Sequence, residues 1–491
     1  MNSTTSFTAI DPITGLPITP SSTVRNSEDS LKEAIASKNS KQESQEIEID
    51  LRSSFEPMTV EKSESVVMPL ITDTLSLTQA KDSSSTQSKT LMLVGGGWQY
   101  PATKDPYGVS IYLDFLERAG GVDDAKIGIF TTASSTPRRN GNYYVQDFQD
   151  LYDLYLKDEY PNQSIDVEWI PFTLNNQEKK KNNEAFAKSL KEYTGFIFGG
   201  GDQSFITESF FNEDPKKGTR TTTPVLRALK RQFNNGAVIA GTSAGTAVQS
   251  GKPMITEGES FESLVNDPIP LIGSPPLKPE LYYNPLGGLN LFKYGLLDTH
   301  FSERGRQGRI IRLAAESGQD VAYGVDENTA LIVSNIDTPK VKMDVLGENG
   351  VFISDLSDAK VKDKKYWSIS GVNTTYITEG DQYDPLTNAA KFPDKSRFRG
   401  TLDTKPKSHN IFSRKNREGA WTDPREFTET AIDLFESKVA IAKGKTRETD
   451  PVQYQVTLEK AKDSHGFRGF DGQDVERLSF ANLSVDIGPI L

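Results

Sequence analysis

The sequence predicts an α/β fold: a doubly wound, mostly parallel sheet with helices on both faces, followed by a more β-rich C-terminal part. Three observations predict it. From residue 90 onward, short apolar runs end at glycines or small residues. They alternate with stretches whose apolar residues fall at helical spacing, and from Ala322 the strand-like runs crowd together. Runs of four to six apolar residues are too short for helices and suit strands buried on both faces, and strand–helix alternation builds βαβ units.

In chain order, residues 1 to about 88 are rich in Ser, Thr, Glu, Lys and Gln, and bury too little apolar surface to offset chain entropy. A polar, disordered leader is expected there. The character changes at Lys89, where Thr90-Leu-Met-Leu-Val94 runs into Gly95-Gly-Gly97 and reads as a buried strand. Further strands are expected at Lys126 to Phe130, Ile165 to Ile170, Thr194 to Phe198 and Gly236 to Ala240. The intervening helices fall at Val109 to Glu117, Tyr143 to Leu156, around Glu184 to Leu190, and at Thr223 to Phe233. Strands then follow at Thr329 to Ser334, Val341 to Leu346, Val351 to Ser354 and Tyr366 to Ser370. After Pro385 the signal weakens: Lys391 to Arg399 and Lys443 to Pro451 are charged and turn-rich, and Glu426 to Ala442 reads as an amphipathic helix. The expected division is a leader (1–88), a catalytic α/β domain (89–385) and a C-terminal extension (386–491).

Composition removes several function classes. With 491 residues, 35 % of them hydrophobic, and a mean hydropathy of −0.52, part of the chain must be polar and unpacked. No stretch approaches the roughly 18 apolar residues of a membrane span. Met1 to Pro20 has neither a basic start nor an apolar core, so no Sec-type leader is readable. That favours the cytoplasm, although a chain without cysteine and with a long polar N-terminus would also suit non-classical export. A net charge of −12 leaves no electrostatic footprint for nucleic acid. With no cysteine there is no disulfide framework, thiolate zinc site or cysteine nucleophile, and three histidines make a multi-histidine metal site a poor fit.

The sharpest chemical feature is Gly241-Thr-Ser243-Ala-Gly245, between an apolar strand and Thr246-Ala-Val248. Gly-x-Ser-x-Gly at a strand-to-helix turn is a nucleophile elbow: its glycines permit the tight turn, and the next N–H, here Ala244, becomes an oxyanion donor. A small-residue turn that merely packs is the plainer reading. A serine needs a base. His300 ends the apolar run from Tyr294, at a strand C-terminus where α/β enzymes build their sites, whereas His409 and His465 lie in the polar tail. The carboxylate that would orient the imidazole has four candidates, Glu257, Glu259, Glu262 and Asp298, and spacing does not choose among them. Phe198-Gly-Gly-Gly-Asp-Gln203 closes another strand with exposed N–H groups, so Gly200 or Gly201 is a second oxyanion donor, or the run is an ordinary glycine turn. Arg304, Arg306 and Arg309 follow the base. They form either a solvated helix face or a cradle for substrate carboxylates.

Taken together, Leu93-Val-Gly-Gly-Gly97, Phe198 to Gln203, Gly241 to Gly245, Asp298-Thr-His-Phe-Ser-Glu-Arg304-Gly-Arg306 and Gly324-Val-Asp-Glu-Asn-Thr-Ala330 resemble the cyanophycinases, serine peptidases of family S51. The resemblance runs in order over about residues 90 to 385, and Gly380-Asp-Gln-Tyr-Asp384 resembles the family's closing segment. It implies a class I glutamine-amidotransferase-like fold and a homodimer. It also implies hydrolysis of cyanophycin, an aspartate backbone bearing arginine on each β-carboxyl, to β-Asp-Arg dipeptides through an acyl-enzyme, without metal or organic cofactor. Residue by residue it puts the nucleophile at Ser243 and the base at His300. Met254-Ile-Thr-Glu-Gly-Glu-Ser260 resembles the stretch that precedes the family's acid, which puts that acid at Glu262. Gln203, Asp298, Arg304, Arg306 and Arg309 match substrate-binding positions.

The chain departs from the family pattern at Thr299, where the family usually has Gln, and in a Pro-rich insertion at about Asn266 to Asn284. An aspartyl dipeptidase of the same family is the nearest alternative, but the arginine cluster favours cyanophycin. A non-catalytic binding protein on a decayed scaffold is opposed by intact Ser243 and His300. A glutamine amidotransferase is excluded because it needs a cysteine.

Overall fold

A computed structural model describes residues 88–416 and 420–491. The leader expected over 1–88 lies outside the described residues up to residue 87.

Strand Leu91–Val94 is fully buried and sits near the middle of a nine-stranded sheet. On one side, Val238–Thr242, Gly195–Phe198, Lys126–Phe130 and Asp166–Trp169 follow in that order, every neighbouring pair parallel. Leu91 and Leu93 enter one apolar cluster while Met92 and Val94 enter another. Successive side chains of a strand point to opposite faces, so both faces of the sheet are covered. Helices Pro106–Ala119 and Pro224–Asn234 each start at a capping side chain: Asp105 accepts from the Gly108 N–H and Thr223 from the Leu226 N–H, with proline at the first helical position.

The other side of the sheet departs from the expected parallel order. Thr329–Ser334 runs antiparallel to Leu91–Val94, and Lys342–Gly347, Gln382–Asp384 and Ala389–Lys391 continue antiparallel outward. Ser334 to Lys342 and Asp384 to Ala389 are short hairpin connections with no room for a crossover helix, and the chain between Gly347 and Gln382 forms strands of a second sheet, so no helical crossover returns these strands to parallel. The sheet is therefore mixed, with five parallel strands carrying the doubly wound half.

A second sheet begins with Leu296–Asp298 parallel to Val321–Val325 and continues antiparallel through Gly350–Asp355, Trp367–Thr378, Glu476–Pro489, Tyr454–Phe470 and Ile441–Lys445. Residues beyond 385 thus add strands to the sheet that carries Asp298. The 17-residue strand Tyr454–Phe470 and the 14-residue strand Glu476–Pro489 fall where the sequence signal was weakest, although Tyr454, Val456 and Leu458 alternate with polar residues as a half-buried strand requires. The helix expected to reach Ala442 stops at Glu436, and Ile441–Lys445 is a strand instead, because Ile441 to Lys445 pair with Gln455 to Glu459. Among the described residues no helix is long and apolar enough to cross a membrane.

Candidate active site

Three strand ends and one glycine turn meet at the carboxyl edge of the parallel strands. Ser243 lies between strand Val238–Thr242 and helix Ala244–Ala247 with φ 53° and ψ −116°, a conformation that costs an L-residue of order 1–3 kcal/mol and persists only where the surroundings enforce it. They do so here. A Cβ at Gly245 would fall 1.9 Å from the Phe198 carbonyl oxygen, so the turn packs against the neighbouring strand only with glycine. The Thr246 hydroxyl ties the turn to the carbonyls of Val94, at 2.7 Å, and Gly241, at 2.6 Å. Phe130, stacked on Phe196 and Phe198 and edge-on to Phe210, holds the strand below it.

His300 follows strand Leu296–Asp298, also at positive φ (48°), with its N–H donating to the Gly95 carbonyl at 2.7 Å. Its Nε2 is 2.7 Å from Ser243 Oγ and its Nδ1 is 2.5 Å from Glu327 Oε1. With Nδ1–H donating to Glu327, Nε2 is left to accept the serine proton. Burial, then the nearby Arg304 cation, lower the imidazole pKa to about 4 against the opposing pull of Glu327, so the ring is neutral at neutral pH. Burial works against the Glu327 carboxylate, but His300 and Arg304 outweigh it and hold its pKa below the usual range.

The carboxylate on the imidazole is therefore Glu327 and not Glu262, which lies on helix Ser260–Val265. Both ring nitrogens of His300 are taken by Ser243 and Glu327, which leaves Glu262 no position from which to orient the ring. Glu327 stands in the block Gly324 to Ala330, just past strand Val321–Val325. Its signal in the sequence is its place at a strand end, the same kind of place that marks His300.

Of the oxyanion candidates, Gly200 sits beside the serine, with the Ser243 Cβ 3.4 Å from where a Gly200 Cβ would be, and Gly201 and Ala244 line the same pocket. Among the described residues the N–H groups of Gly200, Gly201 and Ala244 donate to no backbone acceptor. Gln203 also lines the pocket, where its amide nitrogen donates to the carbonyls of Ile255 and Thr256, so it spans to the strand that carries Glu257.

The three arginines separate into two kinds. Arg309, 3 % exposed, uses its Nε and one NH2 group on the two oxygens of Asp298, at 2.7 and 2.6 Å, and the other on the Gly258 carbonyl at 2.6 Å. Asp298 is 2 % exposed and also accepts from Arg306 and from the Thr299 N–H. Burial raises the Asp298 pKa, but Arg309 and Arg306 bring it below its ordinary value. Asp298 and Arg309 were expected to touch substrate; they line the pocket, but their polar atoms are spent on each other and on Gly258, Arg306 and Thr299, which makes the pair a brace. Arg304 and Arg306 differ. Each has a buried Nε with no acceptor among the described residues. Burial, then the repulsion of Arg309, lowers Arg306 to about 9, and burial lowers Arg304. The Arg304 guanidinium also lies 5.6 Å from the centre of the Trp421 ring. Glu257 and Glu259 line the same pocket, so one cavity presents both signs of charge beside Ser243.

No protein-family model matches the chain. Over 305 residues the chain is 28 % identical to a cyanophycinase from Synechococcus elongatus, covering 61 % of this chain and 80 % of that one. Over 269 residues it is 27 % identical to a cyanophycinase from Trichormus variabilis, covering 55 % and 74 %. Among solved structures, a peptidase from an acI-B1 Actinobacterium superposes with a TM-score of 0.40 at 18 % identity over 61 % of this chain and 98 % of that one, too slight a likeness to argue from.

Proposed function

We propose that this chain, similar in sequence to the cyanophycinases, is a serine-type peptidase of family S51 that hydrolyses cyanophycin to β-Asp-Arg dipeptides through an acyl-enzyme. The observation that carries the reading is the continuous contact from Ser243 Oγ through His300 to Glu327, at 2.7 and 2.5 Å.

In this reading Ser243 Oγ attacks the scissile carbonyl of the aspartate backbone as His300 Nε2 takes its proton. Glu327 holds the ring through Nδ1–H and stabilises the imidazolium that forms. The tetrahedral oxyanion is received by the Ala244 N–H, at a helix N-terminus, and by that of Gly200 or Gly201. Collapse expels the amine, which takes the proton from His300 and leaves an ester on Ser243. A water deprotonated by His300 then hydrolyses the ester. The low pKa of His300 keeps the imidazole in the form that can accept the first proton.

The substrate class is supported by the two signs of charge in the pocket. Each arginine branch of cyanophycin carries a free carboxylate and a guanidinium. Arg304 and Arg306, with their unpartnered Nε groups, suit the carboxylate, and Glu257 and Glu259 suit the guanidinium.

The test is incubation of the purified chain with insoluble cyanophycin and, in parallel, with α-linked aspartyl dipeptides. Soluble β-Asp-Arg is expected from the first, and none from Ser243→Ala. Release only from the α-dipeptides would move the reading to an aspartyl dipeptidase, and release undiminished in Ser243→Ala would remove the serine mechanism.

A further inference from the structure

We infer that Arg425, from the part of the chain beyond residue 385, is a positioning residue for the Ser243–His300–Glu327 relay, acting through Glu303. The inference rests on the serine-peptidase reading above and adds a residue to it.

Arg425 precedes helix Glu426–Glu436 in the left-handed region (φ 64°), with its N–H donating to the Ser302 carbonyl at 2.9 Å. Its side chain turns toward the carboxyl edge that holds His300. One terminal nitrogen donates to Glu303 Oε1 at 2.6 Å and to Asp326 Oδ2 at 3.0 Å; the other donates to the Tyr376 hydroxyl at 2.9 Å. Tyr376 in turn donates to Asp326 Oδ2 at 2.8 Å, and the Ser302 N–H donates to Asp326 Oδ1 at 2.9 Å. The second oxygen of Glu303 accepts the backbone N–H of Glu327 at 3.1 Å. One guanidinium thus holds the side chain of the residue before Glu327 directly and the main chain of Glu327 through Glu303.

That arrangement needs a cation. The Asp326 side chain has no exposure and that of Glu303 is 16 % exposed, so two carboxyls share a poorly hydrated space. Burial, then Asp326, push the Glu303 pKa above the usual carboxylate range even with Arg425 in contact. Without Arg425, Glu303 loses the partner that fixes its Oε1 and is driven further toward the protonated form beside Asp326, so the main-chain anchor of Glu327 is left on a group that no longer has its own. A lysine nitrogen could answer the two carboxyls that share one arginine nitrogen, but only the guanidinium brings a second nitrogen to the tyrosine as well. Because Arg425 touches neither substrate nor the reacting atoms, its loss should leave substrate binding intact while the base loses its orientation. A displacement of about 1 Å at such a group costs roughly 100-fold in rate.

The experiment measures kcat and KM on cyanophycin for Arg425→Ala, Glu303→Ala and the double variant, together with the rate at which a fluorophosphonate labels Ser243. Labelling reads the activated serine whatever the natural substrate is. For Arg425→Ala, kcat and the labelling rate are expected to fall roughly 10- to 100-fold with KM within about threefold. Glu303→Ala should show the same loss, and the two losses should not multiply in the double variant, because both act through one contact. Arg425→Lys should recover part of the rate. Should Arg425→Ala not fold, Arg425→Lys takes its place in the same cycle. Labelling at the wild-type rate in folded Arg425→Ala, or multiplicative losses, overturns the inference. A wild type that labels but leaves cyanophycin intact removes the substrate reading and leaves the positioning role to be judged on labelling; a wild type that does neither overturns both.

Discussion

Gly96 lies directly against the imidazole of His300: a Cβ built at Gly96 would stand 2.1 Å from the ring's Cε1 and 2.5 Å from Nε2. The position also has φ +116°, a conformation that L side chains rarely adopt. Glycine is therefore required twice, once by the backbone and once by the ring it supports.

Gly96→Ala is accordingly expected to push His300 away from Ser243. Loss of about 100-fold or more in kcat should accompany a modest fall in melting temperature. Activity within a few-fold of wild type would mean that the ring has room the structure does not show.

Glu327→Gln should keep the shape of the site and lose the charge that orients the imidazole. By comparison with other triads the loss in kcat should be on the order of 10³ to 10⁴. Glu262→Gln, a change of a partly exposed helix residue, should stay within about threefold of wild type. Steady-state kinetics on both variants decide between them, and the opposite ranking would restore Glu262 as the acid.

The pH profile follows from the depressed pKa of His300. A base works only when neutral, so kcat/KM should rise through about pH 4, where His300 is expected to titrate, instead of near the ordinary value of about 6.5. Arg304→Ala removes a positive neighbour, favours the imidazolium and should move this acid limb to higher pH. Glu327→Gln removes the negative neighbour and should move it lower. A limb that stays in place in both variants would show that another group controls it.

The two kinds of arginine should fail in different ways. Arg306→Ala should raise KM roughly 10- to 100-fold, the worth of a charged hydrogen bond to substrate, with a smaller loss of stability than Arg309→Ala because it removes only the longer of the two arginine contacts to Asp298. Arg309→Ala leaves buried Asp298 without its bidentate partner, with only the longer Arg306 contact and the Thr299 N–H remaining, and should cost about 3 kcal/mol of stability, visible by denaturant unfolding before any kinetics are measured. Equal behaviour of the two variants would erase the distinction between binding and bracing.

That Ser243 and His300 belong to one site was legible because their signals are local. The glycines of Gly241 to Gly245 are demanded by a turn of five residues, and His300 is one of only three histidines and the one that ends an apolar run. The parallel half of the main sheet was legible for the same reason: four of its five strands are short apolar runs that end at glycine or a small polar residue. The long strands after Pro385 were less so, since their alternation is diluted by charge and their partners lie far along the chain.

The acid, the sorting of the arginines and the reach of Arg425 were decided only by tertiary structure. Parallel pairing sets Asp298 beside Gly324, and two residues beyond the first and three beyond the second bring His300 and Glu327 together, a meeting that no spacing within either segment specifies. Arg304, Arg306 and Arg309 look alike as a basic run, but helix Gln307–Ser317 begins between the second and the third and turns the last inward onto Asp298. Contiguous pattern encodes what a turn or a strand needs from its own residues; which charges end up facing one another depends on pairing between distant segments and on the burial that only the packed chain provides.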